Sequence, residues 1–362
     1  MVTEKCEKIL VAPLDWGLGH TARCVPVIRY LRSLGHRVTF AGNDWQSHFI
    51  NETFKDIDII HLDGYNVKYG RTRSSFIFTI LSQLPGLYKT IRNEHEWLLQ
   101  QVAKHNFDRV ISDNRYGLHH SRIPSVIMTH QLQLQSGISG VADNELRKLH
   151  YKYLNRFNEC WVVDVEGEPN LSGKLAHPQK LPDHTHYIGL ISQFEAKGNA
   201  EGKNLVVLLS GPEPQRSILS NVLWEQLKNY KEPVTFIEGS NNVAIRNDIP
   251  PNINYYKQIT GDILQPLLEK ATMVVCRSGY STLMDMVALN KKAIIIPTPG
   301  QTEQEYLGKH LHAEGVFFAT EQKNFDLKAS LEKASHFPFK SLQMRDAHTQ
   351  FQKVICRWVG AL

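Results

Sequence analysis

Apolar positions along the chain fall into short continuous runs separated by segments with helical spacing. In the first half these runs are KILVAPLD, HRVTFAG, IDIIHLDG, RVISDN, SVIMTHQL and CWVVDV. Short apolar runs bounded by turn residues are typical of buried strands in a parallel sheet, and the segments between them are long enough for helices. The pattern therefore predicts an α/β series in which strands and helices alternate.

A polar stretch of small residues interrupts this pattern near the middle of the chain. The segment SQFEAKGNAEGKN, residues 192–204, has the composition of a linker. The strand pattern then restarts with LVVLLS, PVTFIEG, INYYKQ, MVVCRSG and KAIIIPTPG. We therefore predict two doubly wound domains, at 1–192 and 205–340, joined by a linker at 193–204, with a last helix in 341–362 that can return to the first domain.

Size and composition narrow the classes of protein. A chain of 362 residues exceeds one hydrophobic core and fits two domains. The net charge of +5 suits anionic partners such as nucleotide diphosphates or acidic lipid headgroups, but no basic run with interleaved aromatics indicates nucleic acid. Five scattered cysteines without CxxC pairs argue against a disulfide framework or structural zinc. With no signal peptide pattern and no run of about 18 apolar residues, we expect a cytoplasmic protein.

The stretch LDWGLGHTARCVPVIRYLRSLGH, residues 14–36, joins the first strand to a helix. Gly17 and Gly19 permit a positive φ and a close approach of ligand to backbone. Pro26 is expected in the first turn, so the helix begins within a few residues of His20. An imidazole, with an ordinary pKa of about 6.5, suits a general base; a tight turn with an incidental histidine is the alternative. The third glycine of the dinucleotide fingerprint is missing, which argues against an NAD-dependent oxidoreductase.

The segment VVCRSGYSTLMDMVALNKKAIIIPTPGQTEQEY combines two further signals. A buried strand ends at Ser278-Gly279, and Ser281 or Thr282 can cap the helix that follows, which is a favourable place for an anion. The next strand leads into a loop of amides and carboxylates, which suit the hydroxyl groups of a sugar. The alternative is a solvated loop. Together the signals predict a site for an anion and a polyhydroxylated group.

These two stretches resemble the GT-B glycosyltransferases, in the family of the bacterial peptidoglycan N-acetylglucosaminyltransferase and the plant galactolipid synthases, family 28. The resemblance implies two Rossmann-like domains facing across a cleft. It implies that Ser278 and Gly279 hold the donor diphosphate and that Asp285 binds the ribose hydroxyls. The other implied donor residues are Ile259 and Thr260 for uracil, and Gln304 and Glu305 for the sugar.

The resemblance also implies a site in the first domain. His20 is the candidate base, and His130 matches a further position in the cleft, where Gly17 and Gly19 also lie. In ISDNRYGLHHSR, Asp113 and Asn114 end a strand, so Asp113 is a rival to His20 as base and Asn114 a candidate for acceptor binding. A capped turn is the alternative. The adjacent His119 and His120 would point apart on a helix, which argues against a metal site there.

Two departures from the family pattern affect the donor site. The glycine-rich loop that opens the second domain is replaced by LSGPEPQRS, in which Gly211 keeps flexibility and Arg216 can compensate through a charge-assisted contact to phosphate. Glu305 stands where the best-known relatives carry glutamine. Because a carboxylate accepts hydrogen bonds but does not donate them, the donor sugar stays open.

Two other patterns have less weight. Asp56 and Asp58 form a D-x-D, the metal–nucleotide element of another glycosyltransferase class, but they precede a strand and are interpreted as surface residues. The segment VKYGRTRSSFIFTILSQLPGLYKTIR, residues 67–92, is apolar with basic ends. It predicts either a buried helix or a segment on an anionic membrane surface.

The resulting expectation is an inverting, metal-independent glycosyltransferase. It would transfer a hexose or N-acetylhexosamine from a UDP-sugar co-substrate, with no other cofactor, to a hydroxyl of a lipid-linked or cell-envelope glycan. It would act on the inner face of the cytoplasmic membrane. The alternatives are a non-hydrolysing UDP-sugar 2-epimerase and a non-catalytic nucleotide-sugar-binding subunit.

Overall fold

A computed structural model describes most of the chain. The described residues are 6–65, 73–134, 140–195, 202, 204–240, 246–259, 261–342, 344 and 347–361, with side chains left out at 73–85, 141 and 142. The chain forms two compact units. The N-terminal unit comprises Met1–Lys68, Phe78–Ile191 and Met344–Leu362, and the C-terminal unit is built on Ser192–Gln343.

The N-terminal unit contains a seven-stranded parallel sheet with the strand order β3-β2-β1-β4-β5-β6-β7. Its strands are β1 Lys8–Pro13, β2 Arg37–Gly42, β3 Asp58–His61, β4 Arg109–Asp113, β5 Ser125–Thr129, β6 Glu159–Val162 and β7 Thr185–Tyr187. The six apolar runs predicted as strands form β1 to β6. The pattern missed β7, because all three of its residues are partly exposed and form no apolar run.

Four helices of this unit connect its strands: α1 Leu18–Ser33, α2 Asp44–Thr53, α3 Arg73–His105 and α4 Gly140–Leu154. Helix α1 starts directly after Gly17, as expected, and is followed by Gly35 at φ +86°. The placement of Pro26 in the first turn is wrong, since Pro26 lies inside the helix. Its neighbours Val25 and Val27 are buried in the core, and this burial offsets the hydrogen bond that the proline cannot make.

The C-terminal unit contains a six-stranded parallel sheet with the order β10-β9-β8-β11-β12-β13. The strands are β8 Asn204–Leu208, β9 Val234–Ile237, β10 Ile253–Tyr256, β11 Ala271–Cys276, β12 Ala293–Ile295 and β13 Phe318–Ala319. The helices are α5 Gln215–Leu227, α6 Gly261–Glu269, α7 Tyr280–Ala288, α8 Thr302–Ala313 and α9 Leu327–Ser335. Only β13, which has two residues, was not predicted. Two parallel, doubly wound units confirm the predicted fold class.

The last helix, α10 Gln350–Val359, packs on the N-terminal unit. The Trp358 ring lies edge-on against Trp161 with centroids 5.3 Å apart, and the Arg109 guanidinium lies 4.8 Å from the Trp358 ring centroid. At the start of the predicted linker, Phe194 is buried, and residues 192–195 belong to the C-terminal unit. Among the described residues, no helix has both the length and the apolar character needed to cross a bilayer.

Candidate functional site

The register of the N-terminal sheet brings three predicted residues to one edge. Pro13 at the end of β1 pairs with Asp113 at the end of β4, which in turn pairs with Met128 of β5. His20 follows β1 in the first turn of α1, and His130 follows β5 directly. Parallel strands place their carboxyl ends at the same edge, so these three side chains meet there although they lie far apart in sequence.

Asp113 is the centre of this group and is fully buried. Its Oδ2 accepts a hydrogen bond from Arg23 Nε at 2.7 Å, and its Oδ1 accepts a second one from Arg23 Nη2. Burial raises the pKa of this carboxyl, but the attraction of Arg23 and His20 outweighs it and holds the pKa well below its usual range. An ionised carboxylate bound in this way is a poor proton acceptor. The geometry therefore favours Asp113 as the partner of His20 rather than its rival.

His20 presents one ring nitrogen to this group. Its Nδ1 lies 3.1 Å from Asp113 Oδ2 and 2.9 Å from Arg23 Nη2. Burial is the main cause that lowers the pKa of His20, and it favours the neutral imidazole. Within the described residues, Nε2 makes no hydrogen bond. Nδ1 can donate to Asp113 or accept from Arg23, but not both; in the tautomer that donates to Asp113, Nε2 keeps a lone pair that can accept a proton.

Arg23 was missed by the sequence analysis, although it lies three residues after His20 and therefore on the same face of α1. It is buried, and its Nη1 lies 3.1 Å from His130 Nδ1. A guanidinium only donates hydrogen bonds, so His130 accepts at Nδ1 and carries its proton on Nε2. Arg23 thus connects all three predicted residues.

The remaining predicted residues of this edge have backbone roles. Gly17 has a φ of +81°, and a Cβ added to it would meet nothing within 4 Å, so the backbone before α1 borders open space. Gly19 lies in the first turn of α1. Asn114 is buried at a φ of +57°, and its N–H donates to Met128 O at 3.0 Å, next to the pairing of β4 with β5; its role in acceptor binding stays a prediction.

The histidine pair and the D-x-D are used in local structure. His120 Nδ1 accepts hydrogen bonds from the backbone N–H groups of Arg122 and Ile123 at 3.0 and 3.1 Å. His119 stacks on another histidine, His95, with ring centroids 4.2 Å apart. Asp56 is paired with Arg32 on the surface at 2.6 Å. Within the described ranges, no group of three His, Cys, Asp or Glu side chains is arranged to hold a metal ion.

The C-terminal sheet brings a second set of loops to one edge. Leu208 of β8 pairs with Cys276 of β11, which pairs with Ile295 of β12. The loop after β8 contains Gly211 at a φ of +101°. Ser278 and Gly279 follow β11, and the loop after β12 leads into α8. The register therefore places the predicted diphosphate and sugar segments side by side.

Ser278 and Gly279 form the junction between β11 and α7. Ser278 is buried, and its hydroxyl donates to the carbonyl oxygen of Gln304 at 2.9 Å. Gly279 is the N-cap residue of α7, and no side chain caps this end of the helix. The expected capping by Ser281 or Thr282 is wrong, because both lie inside α7. A helix N-terminus without a capping side chain suits an anion.

Gln304 and Glu305 lie in the first turn of α8 and shape the loop before it. Gln304 Oε1 accepts a hydrogen bond from the Thr298 N–H at 2.9 Å, and Glu305 Oε1 accepts one from the Gly300 N–H at 2.8 Å. The Nε2 of Gln304 lies 3.8 Å from the position of a Cβ added to Gly279. The two predicted parts of the donor site are thus in contact within this unit.

Asp285 is held by residues of the predicted linker. Its Oδ1 accepts a hydrogen bond from the Ser192 hydroxyl at 2.6 Å, and its Oδ2 lies 3.4 Å from Gln193 Nε2. Burial raises the pKa of Asp285 to about 7. The structure therefore shows neutral donors where a ribose was predicted, and the ribose role stays a prediction.

The remaining donor-site residues differ in what the structure shows of them. Arg216 is buried, donates to the Glu238 carbonyl at 3.1 Å, and is paired with the carboxylates of Glu213 and Glu238. These carboxylates neutralise its charge, which argues against the expected compensation for the lost glycine loop by binding phosphate. Ile259 is half-buried just after β10. Thr260 lies outside the described residues, as do the side chains of most of segment 67–92.

The comparisons with known proteins agree with this architecture. SnogD from Streptomyces nogalater, a glycosyltransferase, superimposes with a TM-score of 0.61 at 14% identity over 99% of this chain and 100% of that one. MurG from Acinetobacter baumannii superimposes with a TM-score of 0.52 at 12% identity over 99% and 100%. The fold is therefore that of the GT-B glycosyltransferases.

Sequence comparison narrows this class. Residues 200–357 match the glycosyltransferase family 28 C-terminal domain. The chain is 22% identical to the UDP-N-acetylglucosamine--N-acetylmuramyl-(pentapeptide) pyrophosphoryl-undecaprenol N-acetylglucosamine transferase of Haemophilus ducreyi, over 88% of this chain and 86% of that protein. It is 26% identical to the enzyme of the same name from Caldanaerobacter subterraneus, over 39% and 42%. The chain thus spans about half the length of the first curated relatives it matches, 42% and 56%. Residues 200–357 are therefore similar to family 28, the family that the sequence resemblance named.

Proposed function

We propose that this protein transfers a hexose or N-acetylhexosamine from a UDP-sugar to an acceptor hydroxyl, with inversion at the anomeric carbon and without a metal ion. The match to family 28 supports the reaction class. The name of the relative from Haemophilus ducreyi supports a UDP-N-acetylhexosamine donor and an acceptor linked to a lipid pyrophosphate. The comparisons give no support to the epimerase alternative.

The observation that carries the proposal is the pair of His20 Nδ1 and Asp113 Oδ2 at 3.1 Å. As the acceptor oxygen attacks the anomeric carbon, its proton passes to His20 Nε2, and the ionised Asp113 stabilises the imidazolium that forms. General-base catalysis of this kind contributes about 10²–10⁴-fold. A base that activates the acceptor directly suits a single displacement, in which UDP leaves from the opposite face and the configuration inverts.

The C-terminal unit would supply the donor site. Negative charge grows on the diphosphate as the bond to the sugar breaks, and backbone N–H groups aimed at such a charge contribute several kcal/mol. The N-terminus of α7 after Gly279 suits this task, and this is why we propose that no metal is needed. Gln304 and Glu305 would bind the sugar hydroxyls. A ribose hydroxyl would replace the Ser192 hydroxyl on Asp285.

The proposal extends to location and partners. A net charge of +5 favours an anionic surface, and Arg92 with the exposed Tyr88 marks the described end of segment 67–92. We therefore place the protein at the inner face of the cytoplasmic membrane, where it would act on a lipid-linked acceptor in cell-envelope glycan synthesis.

A pair of variants tests this function by separating catalysis from donor binding. His20→Ala should lower kcat by about 10²–10⁴-fold and change the Kd for UDP less than about twofold, because the base does not hold the nucleotide. Asp285→Ala should instead weaken UDP binding. Titration calorimetry with UDP and initial rates with a lipid-pyrophosphate acceptor measure both. Unchanged turnover in His20→Ala would remove His20 from the mechanism.

A donor panel provides the control for substrate class. At equal concentration, UDP-, GDP- and dTDP-sugars should raise the melting temperature more the more tightly they bind, with the UDP-sugars most effective. Incubation with UDP-N-acetylglucosamine alone should give no epimer. An epimer formed without acceptor would overturn the transferase proposal, and binding with neither transfer nor donor hydrolysis would favour a non-catalytic subunit.

A further inference from the structure

Arg277, between β11 and Ser278, is a buried cation that neither the sequence analysis nor the proposed mechanism uses. Its side chain is almost fully enclosed, with 1% of the residue exposed. Its Nη2 donates to the carbonyl oxygen of Gln215 at 2.8 Å, and its Nη1 donates to those of Ile296 and Pro297, both at 3.2 Å. All three partners are therefore neutral dipoles.

Arg277 differs in this respect from the other arginines that the described residues bury. Those three are Arg23, Arg115 and Arg216. Each has a carboxylate partner: Arg23 has Asp113, Arg115 has Glu94 at 2.8 Å, and Arg216 has Glu213 and Glu238. Within the described ranges, Arg277 makes no ion pair. It is the buried arginine whose counter-charge this part of the chain does not supply.

A buried charge without a counter-charge is costly, and proteins rarely keep one unless another group compensates for it. Burial lowers the pKa of Arg277 to about 10, so the guanidinium stays protonated at neutral pH. The carbonyl dipoles compensate for part of this cost. The dipoles do not cancel the net positive charge, and the positive potential of this charge reaches the surrounding loops.

The position of this charge indicates the anion that would balance it. Arg277 lies at the carboxyl edge of the sheet, one residue before Ser278 and two before the N-terminus of α7. Its carbonyl partners belong to the segment after β12 and to the first residue of α5. It is thus held among the loops that the proposed function assigns to the diphosphate and the sugar.

We propose that Arg277 is an electrostatic positioning residue for the diphosphate of the nucleotide donor. Its charge, fixed behind Ser278 and Gly279, attracts the diphosphate and stabilises the leaving UDP without touching it. This inference rests on the proposed function, because it takes the donor to bind at this edge. The competing interpretation is that Arg277 only ties three loop segments together.

A series of ligands with increasing phosphate charge distinguishes the electrostatic role of Arg277 from a purely structural one. Titrations of the full-length protein with uridine, UMP and UDP would compare the wild type with Arg277→Gln and Arg277→Lys. A fixed charge acts in proportion to ligand charge. Arg277→Gln should therefore weaken UDP binding at least about tenfold and UMP binding less, and change uridine binding at most about twofold. Arg277→Lys should restore most of the UDP affinity.

Two further variants control the experiment. Arg216→Gln/Glu238→Gln removes a buried arginine of the same unit together with a carboxylate that pairs with it, so the net charge is unchanged and the effect should not increase with phosphate number. Arg277→Met is a second neutral variant, without a buried amide, for use if Arg277→Gln does not fold. An equal loss of affinity for all three ligands in the folded neutral variant would overturn the proposal and leave Arg277 as a structural tie. If the wild type bound uridine but gained nothing from the phosphates, the donor site itself would be misplaced, which is a different failure.

Discussion

The two candidate sites balance their charges in opposite ways. In the N-terminal unit, the buried Asp113 is paired with Arg23 and His20, so the charges are matched without any ligand. In the C-terminal unit, as far as the structure describes it, the buried Arg277 has only carbonyl partners, and the N-terminus of α7 has no capping side chain. The buried charges at the edge of the N-terminal sheet balance one another, whereas the edge of the C-terminal sheet keeps a net positive charge from Arg277.

This difference fits two different tasks. A base must keep its tautomer and orientation before the substrate arrives, and a buried ion pair that is fully hydrogen-bonded provides such order. A site for an anion works best when its positive groups are fixed in place but not neutralised. The charge balance of a buried cluster therefore helps to distinguish a proton-transfer site from an anion site, even where both lie at the ends of parallel strands.

The largest expected effect compares the two buried arginines directly. Arg23→Gln leaves the Asp113 carboxylate buried without its cation and should lower the free energy of unfolding by about 3–5 kcal/mol. Arg277→Gln leaves only carbonyls behind and should cost about 1–2 kcal/mol. Urea unfolding followed by circular dichroism measures both.

The double variant Arg23→Gln/Asp113→Asn is the control for this comparison. Removing both charges should recover part of the loss, because the uncompensated carboxylate is then gone. Equal destabilisation by Arg23→Gln and Arg277→Gln, with no recovery in the double variant, would break the contrast between the two sites.

A second prediction compares the two buried carboxylates. Burial raises the pKa of Asp285 to about 7, and its partners Ser192 and Gln193 are neutral. A carboxyl whose folded pKa lies above its unfolded value loses its stabilising contribution as pH rises, here between about 4 and 7. Asp285→Asn should therefore match the wild type near pH 4 and be more stable by about 4 kcal/mol at pH 8.

Melting curves from pH 4 to 8 test this prediction. Asp113 has the opposite shift, with its pKa held low, so it contributes stability throughout this range and loses it only in stronger acid. A constant difference between Asp285→Asn and the wild type at every pH would show that Asp285 is ionised in the folded protein like Asp113.

The smallest expected effect concerns Glu305, in the first turn of α8. Glutamine keeps the oxygen that accepts from the Gly300 N–H, so Glu305→Gln should change the melting temperature little. It also adds a donor toward the sugar, which should alter the ratio of kcat/KM between UDP-hexose and UDP-N-acetylhexosamine by about 10-fold. An unchanged ratio would mean that Glu305 only shapes the loop.

Much of the fold follows from the sequence because buried parallel strands leave a continuous apolar signal. All eleven predicted runs correspond to strands, whereas β7 and β13 escaped because they are short and partly exposed. Pro26 was expected in the first turn because proline disfavours the interior of a helix, but the burial of Val25 and Val27 in the core outweighs this preference. Tertiary burial overrides such local preferences.

The candidate sites were only partly predictable. His20 and Asp113 are 93 positions apart, and only the register of β1 and β4 shows that they are partners rather than rivals. Arg216 and Arg277 look alike in sequence, since each lies near a predicted phosphate loop. Which of them is neutralised depends on Glu238, a distant residue at the end of another strand. Pairing of buried charges is a property of the folded chain.

The packing of α10 has a practical consequence for dissecting this protein. Because Met344–Leu362 belong to the N-terminal unit, the segment Ser192–Gln343 is an insertion within the sequence of that unit. A fragment that stops at residue 191 would lack α10, so Trp161 would lose the cover of Trp358 and the fragment should aggregate. A variant in which a short loop replaces 192–343 would keep both segments of the N-terminal unit in one chain. Fragment studies should therefore delete residues 192–343 as one segment rather than cut the chain at a single position between the two units.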